Sequence, residues 1–333
     1  MRQSFITVLL TFFTVSCAVA QGSDDAGTYY QAADGKKGAE LKTALSGIIY
    51  NRTERQYNDL WTDFMTTDVK SNGKIWDMYS NATDYTPVTK GSNYSKEGDC
   101  YNREHSWPNS WFGGKTNTLP MYTDLHHLYP TDGFVNGKRS NYPFGETKGE
   151  KYKSENDFSK LGVCTWPGYT GIVFEPNDEY KGDFARTYFY IVTCYEDRLP
   201  DWYDKYADSK PTLDGKKYPG LSAWQLAMLM KWAEQDPVSE KEVNRNKAVW
   251  QIQHNRNPFI DYPGLEQYIW GSRKEQAFSY DNYTSDIKAV SQNDDGNKTE
   301  SVHALDGRKL SKLHKGVNIV RKKNGRTRKV IKK

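Results

Sequence analysis

Cysteine is scarce: four residues in 333, one of them (Cys17) within the first twenty. That excludes a scaffold held together by many disulfides. After the N-terminal stretch, no segment approaches the roughly 18 consecutive apolar residues that a membrane-spanning helix needs. Histidine is also rare, six in all, and the pattern H-E-x-x-H is absent, which weakens a zinc-peptidase reading. A global excess of positive charge is missing too. The net charge is +4, but residues 301–333 hold 12 Lys/Arg against Asp306 alone, so removing this tail's +11 leaves −7 on residues 1–300. Any phosphate contact in the body therefore has to come from a local basic cluster. Aromatic residues, by contrast, are abundant: 24 Tyr and 10 Trp in a chain of low hydropathy. The combination reads as a water-soluble protein with large amphipathic surfaces.

Four stretches follow. Residues 1–20 have the form of a secretory leader: Arg2, an apolar run from Phe5 to Val15, and the small-x-small site Ala18-Val19-Ala20. Cys17 raises lipid attachment as an alternative, but Thr14 stands where a lipobox carries Leu. Residues 21–280 form the body, 281–300 a polar linker, and 301–333 a short module in which apolar and polar residues alternate around Gly turns, as in a small β-hairpin unit. After export three cysteines remain, and Cys100 with Cys164 is the favoured pair of three, because Cys194 sits in the helical-looking run YFYIVTCY. In the body, GAELKTALSGIIY spaces Leu41, Leu45, Ile48 and Ile49 on one helical face. DEYKGDFARTYFYIVTCYEDR and LSAWQLAMLMKWAEQ are two further helices, and Ser239 with Glu242 forms a capping box for another. The expected class is α+β: a helix-rich body with a small strand element.

That strand element is expected in the Gly-, Pro-, Asn- and His-rich span from Cys100 to Gly145. It opens on YNREHSWP, where Glu104 and His105 are adjacent. Neighbours in a strand point to opposite faces, so the two can serve one site only at a bend. Three of the six histidines, His105, His126 and His127, fall within 23 residues, and DLHHLYPTDGFVNGKRSN adds Asp124, Asp132, Asn136, Lys138, Arg139 and Asn141. This composition fits phosphodiester hydrolysis. A neutral histidine can accept a proton from water near pH 7, and a hard divalent ion held by oxygen ligands can neutralise charge on the phosphate. Glu104 and Asn136 supply such oxygens, and Arg139 or Lys138 a phosphate-gripping cation.

YNREHSWPNSWFGG followed by DLHHLYPTDGFVNGKRSN is similar to the paired motifs of the bacterial endonuclease I family, secreted or periplasmic nucleases with a ββα-metal (His-Me) finger. IWDMYS, VFEPNDEYKGDFARTYFY, DPVSEKEVNRN and QHNRNPFIDYPGLEQYIWG also look like family blocks, so the resemblance covers residues 27–273 approximately. It implies Glu104 and Asn136 as metal ligands, His105 as general base and Arg139 as a basic residue near the phosphate. Asp124 and His126 match the family's D-x-H and are given a supporting place behind the site. The implied cofactor is Mg²⁺, with Mn²⁺ or Ca²⁺ as substitutes, and the implied substrate is DNA, with RNA as a second one. The tail LDGRKLSKLHKGVNIVRKKNGRTRKVIKK resembles a type IX secretion sorting domain, which makes that machinery a partner and an extracellular or outer-surface destination the expectation for a monomeric enzyme. Two rivals stand beside this reading: a zinc peptidase using Glu104, His105, His126 and His127, and a non-enzymatic surface module that binds through its Tyr and Trp residues.

Overall fold

The computed structural model describes residues 26–114 and 119–283, together with the backbone of four C-terminal strands. The leader and the segment 284–298, which contains most of the expected linker, lie outside the described residues. The chain divides after Ser285 into two units.

In the first unit the amphipathic pattern becomes α1 (Gly38–Ile49), with Leu41, Leu45 and Ile49 fully buried and Ile48 packed at the core's margin. α2 (Leu60–Thr67) buries Leu60 and Phe64 in a smaller apolar cluster with Tyr101, Leu125, Leu128 and Val249. Two antiparallel strands follow, β1 (Tyr101–His105) and β2 (Leu128–Asp132), in a register that runs from Tyr101 opposite Asp132 to His105 opposite Leu128. The chain passes from β2 straight into α3 (Gly133–Arg139) without a loop. Asp132 makes this junction: it ends the strand, and its carboxylate accepts the Val135 N–H at 2.8 Å as the helix N-cap. Gly133 is required beside it, since a Cβ there would lie 2.5 Å from the Tyr94 ring.

A second sheet, β3 (Tyr152–Lys153), β4 (Lys160–Val163) and β5 (Ile172–Glu175), is antiparallel with β4 central. Periodicity did not anticipate it, because strands of two to four residues are too short to display a period of two. Helix α4 (Lys181–Cys194) is buried along its whole length, and α1 and α6 (Ala223–Gln235) pack on it. α5 (Leu199–Lys205) is a short helix begun by Pro200. α7 (Glu240–Gln253) has the complete capping box, and α8 (Pro258–Asp261) and α9 (Leu265–Ile269) close the body. In the second unit β6 (Thr299–His303), β7 (Lys309–Leu310), β8 (Gly316–Lys322) and β9 (Thr327–Lys332) form one antiparallel sheet in the order β7-β6-β8-β9.

The Cys100–Cys164 disulfide does not form. Cys100, Cys164 and Cys194 are buried free thiols. Cys100 precedes β1 and its sulfur faces the Asn93 carbonyl, whereas Cys164 follows β4 and faces the Trp166 carbonyl, so each belongs to a different sheet and turns toward its own loop.

Candidate active site

Strand alternation sorts the REH motif into two faces. Asn102 and Glu104 point toward α3, where Asn136 and Arg139, three residues apart on one helical face, meet them. Asn136 Nδ2 donates to Asn102 Oδ1 at 2.7 Å, and Arg139 Nη1 donates to Glu104 Oε1 at 2.9 Å. Tyr79 OH gives the same oxygen a second bond at 2.8 Å. Glu104 is buried, and burial pushes its carboxyl up to about 7, against the opposing pull of Arg139 and of hydrogen bonds from Tyr79 and Asn136. The anion here is thus under-compensated.

His105 lies on the other face, at the last position of β1. Its Nε2 is 2.9 Å from the Tyr122 carbonyl. A carbonyl can only accept, so Nε2 carries the proton and Nδ1 the lone pair. The ring packs among Tyr57, Phe112, Tyr122 and His127. Burial first, then the neighbouring His127 and the cations Arg103 and Arg139, pull its pKa down to about 3, so it is neutral throughout the physiological range. Glu104 and His105 flank the end of one strand on opposite sides.

Residues 37–264 of this chain match the sequence model of the endonuclease I family. The chain belongs to the endonuclease I family. An extracellular ribonuclease of Bacillus amyloliquefaciens is 37% identical over 267 residues, which span 78% of this chain and 83% of that protein. An extracellular ribonuclease of Bacillus subtilis (strain 168) is 35% identical over 253 residues, 74% and 79% of the two chains. An extracellular deoxyribonuclease of Aeromonas hydrophila is 28% identical over 154 residues, 44% and 54% of the two. This endonuclease I family enzyme is accordingly a nuclease, a hydrolase acting on nucleic acid.

Within this nuclease Arg139 occupies a different place from the one expected of a phosphate-gripping cation. It is fully buried, and besides Glu104 it donates to the carbonyls of His105 at 3.0 Å and Ser106 at 2.6 Å. A guanidinium committed in this way orients the carboxylate and the strand end, and has no open face for a phosphate. Lys138 is the exposed cation of α3, lying over the Phe134 and Tyr152 rings.

Asp124 and His126 sit in a buried network that makes no direct contact with Glu104 or His105. Asp124 accepts from Tyr190 OH (2.9 Å), Tyr195 OH (2.6 Å), Gln253 Nε2 (3.0 Å) and the His126 N–H (3.1 Å). Burial works to raise its pKa, but Arg52, His126 and His127 outweigh it and hold the carboxyl well below the usual range. Arg52 also donates to the Pro120 carbonyl. The turn Pro120–Thr123 is thereby clamped, and it presents the Tyr122 carbonyl to His105 and the Met121 carbonyl to His127 at 2.6 Å. His126 reaches a third carbonyl, that of Asn255, at 3.3 Å. The three rings thus turn to three separate carbonyls, and among the described residues no group of three His, Cys, Asp or Glu is placed to hold a metal. A tetrahedral zinc site built on Glu104, His105, His126 and His127 is therefore ruled out on geometry.

Sequence reasoning missed three contributors: Tyr79, Arg52 and the Tyr122 carbonyl. Tyr79 belongs to the IWDMYS block, but nothing in its spacing, 25 residues before Glu104, tied it to that carboxylate. The stretch NRNPFIDYPG is structural: Asn257 caps α8, and Asn255 Nδ2 donates to Tyr190 OH and the Ile49 carbonyl. Asp183 and Arg186, one turn apart on α4, are 3.8 Å from each other, but each has a closer partner on α7: Lys241 for Asp183, Glu242 for Arg186.

Proposed function

We propose that the chain is a secreted, divalent-metal-dependent endonuclease of low sequence preference that hydrolyses DNA and RNA, with β1, β2 and α3 acting as a ββα-metal finger. The observation that carries this reading is the meeting of Glu104 and Asn136 on one side of the β1 end, with a neutral His105 whose lone pair is on Nδ1 on the other. The donor set fits a hard cation. It offers a carboxylate oxygen beside an amide, and the carboxylate's raised pKa marks an anion that Arg139 alone does not balance. Bound to Glu104 and Asn136, Mg²⁺, Mn²⁺ or Ca²⁺ would supply positive charge against the charge that grows on the phosphate.

The chain's own residues do the rest. His105 Nδ1 accepts the proton of the attacking water. The Tyr122 carbonyl fixes the tautomer through Nε2–H and favours the imidazolium once it forms. Arg139 holds Glu104 and the carbonyls of His105 and Ser106 in one arrangement. RNA is included because the two ribonuclease relatives align over most of their length, and DNA because of the deoxyribonuclease relative and the family. Secretion rests on the leader-like N-terminus and on relatives named as extracellular, and the separate C-terminal sheet is proposed as the type IX sorting module.

The test is incubation of purified protein with plasmid and with RNA, with and without EDTA. The expected result is loss of cleavage in EDTA and its return on adding Mg²⁺. Cleavage undiminished by EDTA, or none under any condition, would reject the reading.

A further inference from the structure

Among the described residues, Arg103 differs from the other arginines around the site in having no carboxylate paired with it. Arg139, Arg186, Arg245 and Arg256 each face one, at 2.9, 2.8, 2.8 and 2.6 Å. Asp59 and Asp63, the acids at the start of and on α2, are held by Arg55 at 3.8 and 2.9 Å. The Arg103 guanidinium rests instead on two rings, 3.6 Å from the Tyr57 centroid and 4.2 Å from that of Trp61. Nη1 donates to the Tyr57 carbonyl at 2.6 Å and reaches Asn58 Oδ1 at 3.5 Å. Arg103, Tyr57 and Trp61 are all partly exposed, and Lys90, exposed, lies 5.6 Å from the Trp61 centroid. A guanidinium pinned in one orientation, partly stripped of water and left without an anion, is a costly arrangement in isolation. An incoming anion relieves that cost.

The position says which anion. Arg103 and His105 are two apart on β1 and share a face, and Tyr57 touches both, stacking on His105 at 6.1 Å. Two strand residues span about 6.6 Å, of the order of one step between successive phosphates in an extended strand. Aromatic rings beside a fixed cation are also the elements that bind unpaired nucleic acid, where bases are free to stack and phosphates follow the cations. Resting on the nuclease reading above, we propose that Arg103, carried on Tyr57 and Trp61, is the subsite for the phosphate adjacent to the scissile one in a single-stranded segment, with Lys90 next along the strand.

The test uses the full chain with Arg103→Gln and Arg103→Lys. Binding of a fluorescent single-stranded oligonucleotide is measured in EDTA over a range of salt, and cleavage is measured with Mg²⁺. Arg103→Gln is expected to weaken binding about tenfold at low salt. It should also lower the slope of log affinity against log salt by about 0.7, the share of one phosphate contact on a single strand. KM for the oligonucleotide rises while kcat stays within a factor of about three, and kcat/KM for a dinucleoside monophosphate, which lacks a neighbouring phosphate, is unchanged. Arg103→Lys keeps the salt slope and still loses affinity severalfold, because a point charge does not reproduce the stacked fork. It remains informative if the glutamine variant fails to fold. Wild-type values of slope and KM in both variants, or equal losses on the dinucleoside, would overturn the subsite and leave Arg103 as a packing residue. A wild type that neither binds nor cleaves the oligonucleotide would instead overturn the nuclease reading beneath it.

Discussion

At Glu104, burial and neighbouring charge pull in opposite directions, and burial prevails: the carboxyl is pushed up to about 7 while His105 is drawn down to about 3. The two shifts assign the acid limb of activity. With the proposed cation at Glu104, protons would compete with it as pH falls through 7, whereas His105 stays neutral and able to accept a proton. The limb should therefore track Glu104 and move to lower pH as Mg²⁺ is raised, in kcat/KM profiles taken at low and high Mg²⁺. A limb near 6.5 that ignores Mg²⁺ would point to an ordinary histidine instead. His105→Ala should cost roughly 10²–10⁴ in kcat with metal affinity retained; near-wild-type turnover would remove it from the mechanism. Glu104→Ala and Asn136→Ala should weaken Mg²⁺ affinity and activity together, and excess Mg²⁺ should restore Asn136→Ala further, since the lost amide is neutral. Identical calorimetric metal titrations for wild type and both variants would refute that pair. The adjacency of Glu104 and His105 and the motif carrying Asn136 were visible in the sequence, and the structure brings Asn136 to Glu104. The role of Arg139 was not visible, because a positive charge in a sequence does not reveal whether it ends in water or under a helix.

Helix starts are the elements read most directly from the sequence, since a cap is a local contact. Ser239 and Glu242 form the anticipated reciprocal bonds at the head of α7. Ser239→Ala should lower stability by about 1 kcal/mol in denaturant unfolding and leave activity alone. Asp132 is the contrasting case. Buried at the β2–α3 junction, it accepts from Val135 N–H and Gly98 N–H, each at 2.8 Å, and from Tyr85 OH. Asp132→Ala leaves several buried donors unpaired, so a loss of roughly 2–4 kcal/mol is expected, with reduced Mg²⁺ affinity as Asn136 loses its anchored helix. Equal effects of the two substitutions would mean that α3 is held in place by other contacts. The β3-β4-β5 sheet could not be foreseen, because its strands depend on one another and carry almost no pattern of their own.

At the scale of the whole chain, catalysis and the basic tail fall in different units, divided after Ser285. A chain ending at Ser285 should retain plasmid cleavage at moderate salt. It should lose part of its low-salt DNA affinity with the 12 basic side chains of residues 301–333, and accumulate in the cell envelope of its native host. Cleavage abolished at every salt concentration, with normal export, would attach the tail to the nuclease. The free thiols carry a prediction of their own: a reducing agent should leave Tm unchanged, and a fall of several degrees would reveal a bridge between Cys100 and Cys164.

What the sequence determined by itself was whatever depends on neighbours in the chain: the amphipathic face of α1, the α7 cap, the adjacency of Glu104 and His105, and the charge of the tail. Those features are set within a few residues by helical and strand periodicity and by hydrogen bonds that the backbone closes locally. The tertiary structure alone decided that Arg139 is buried against Glu104, that Tyr79 shares that carboxylate, and that the Tyr122 carbonyl sets the tautomer of His105. Each of these joins residues 17 to 35 positions apart. Burial is the physical reason: it raises the cost of every unpaired polar group, and so selects partners that no local pattern names.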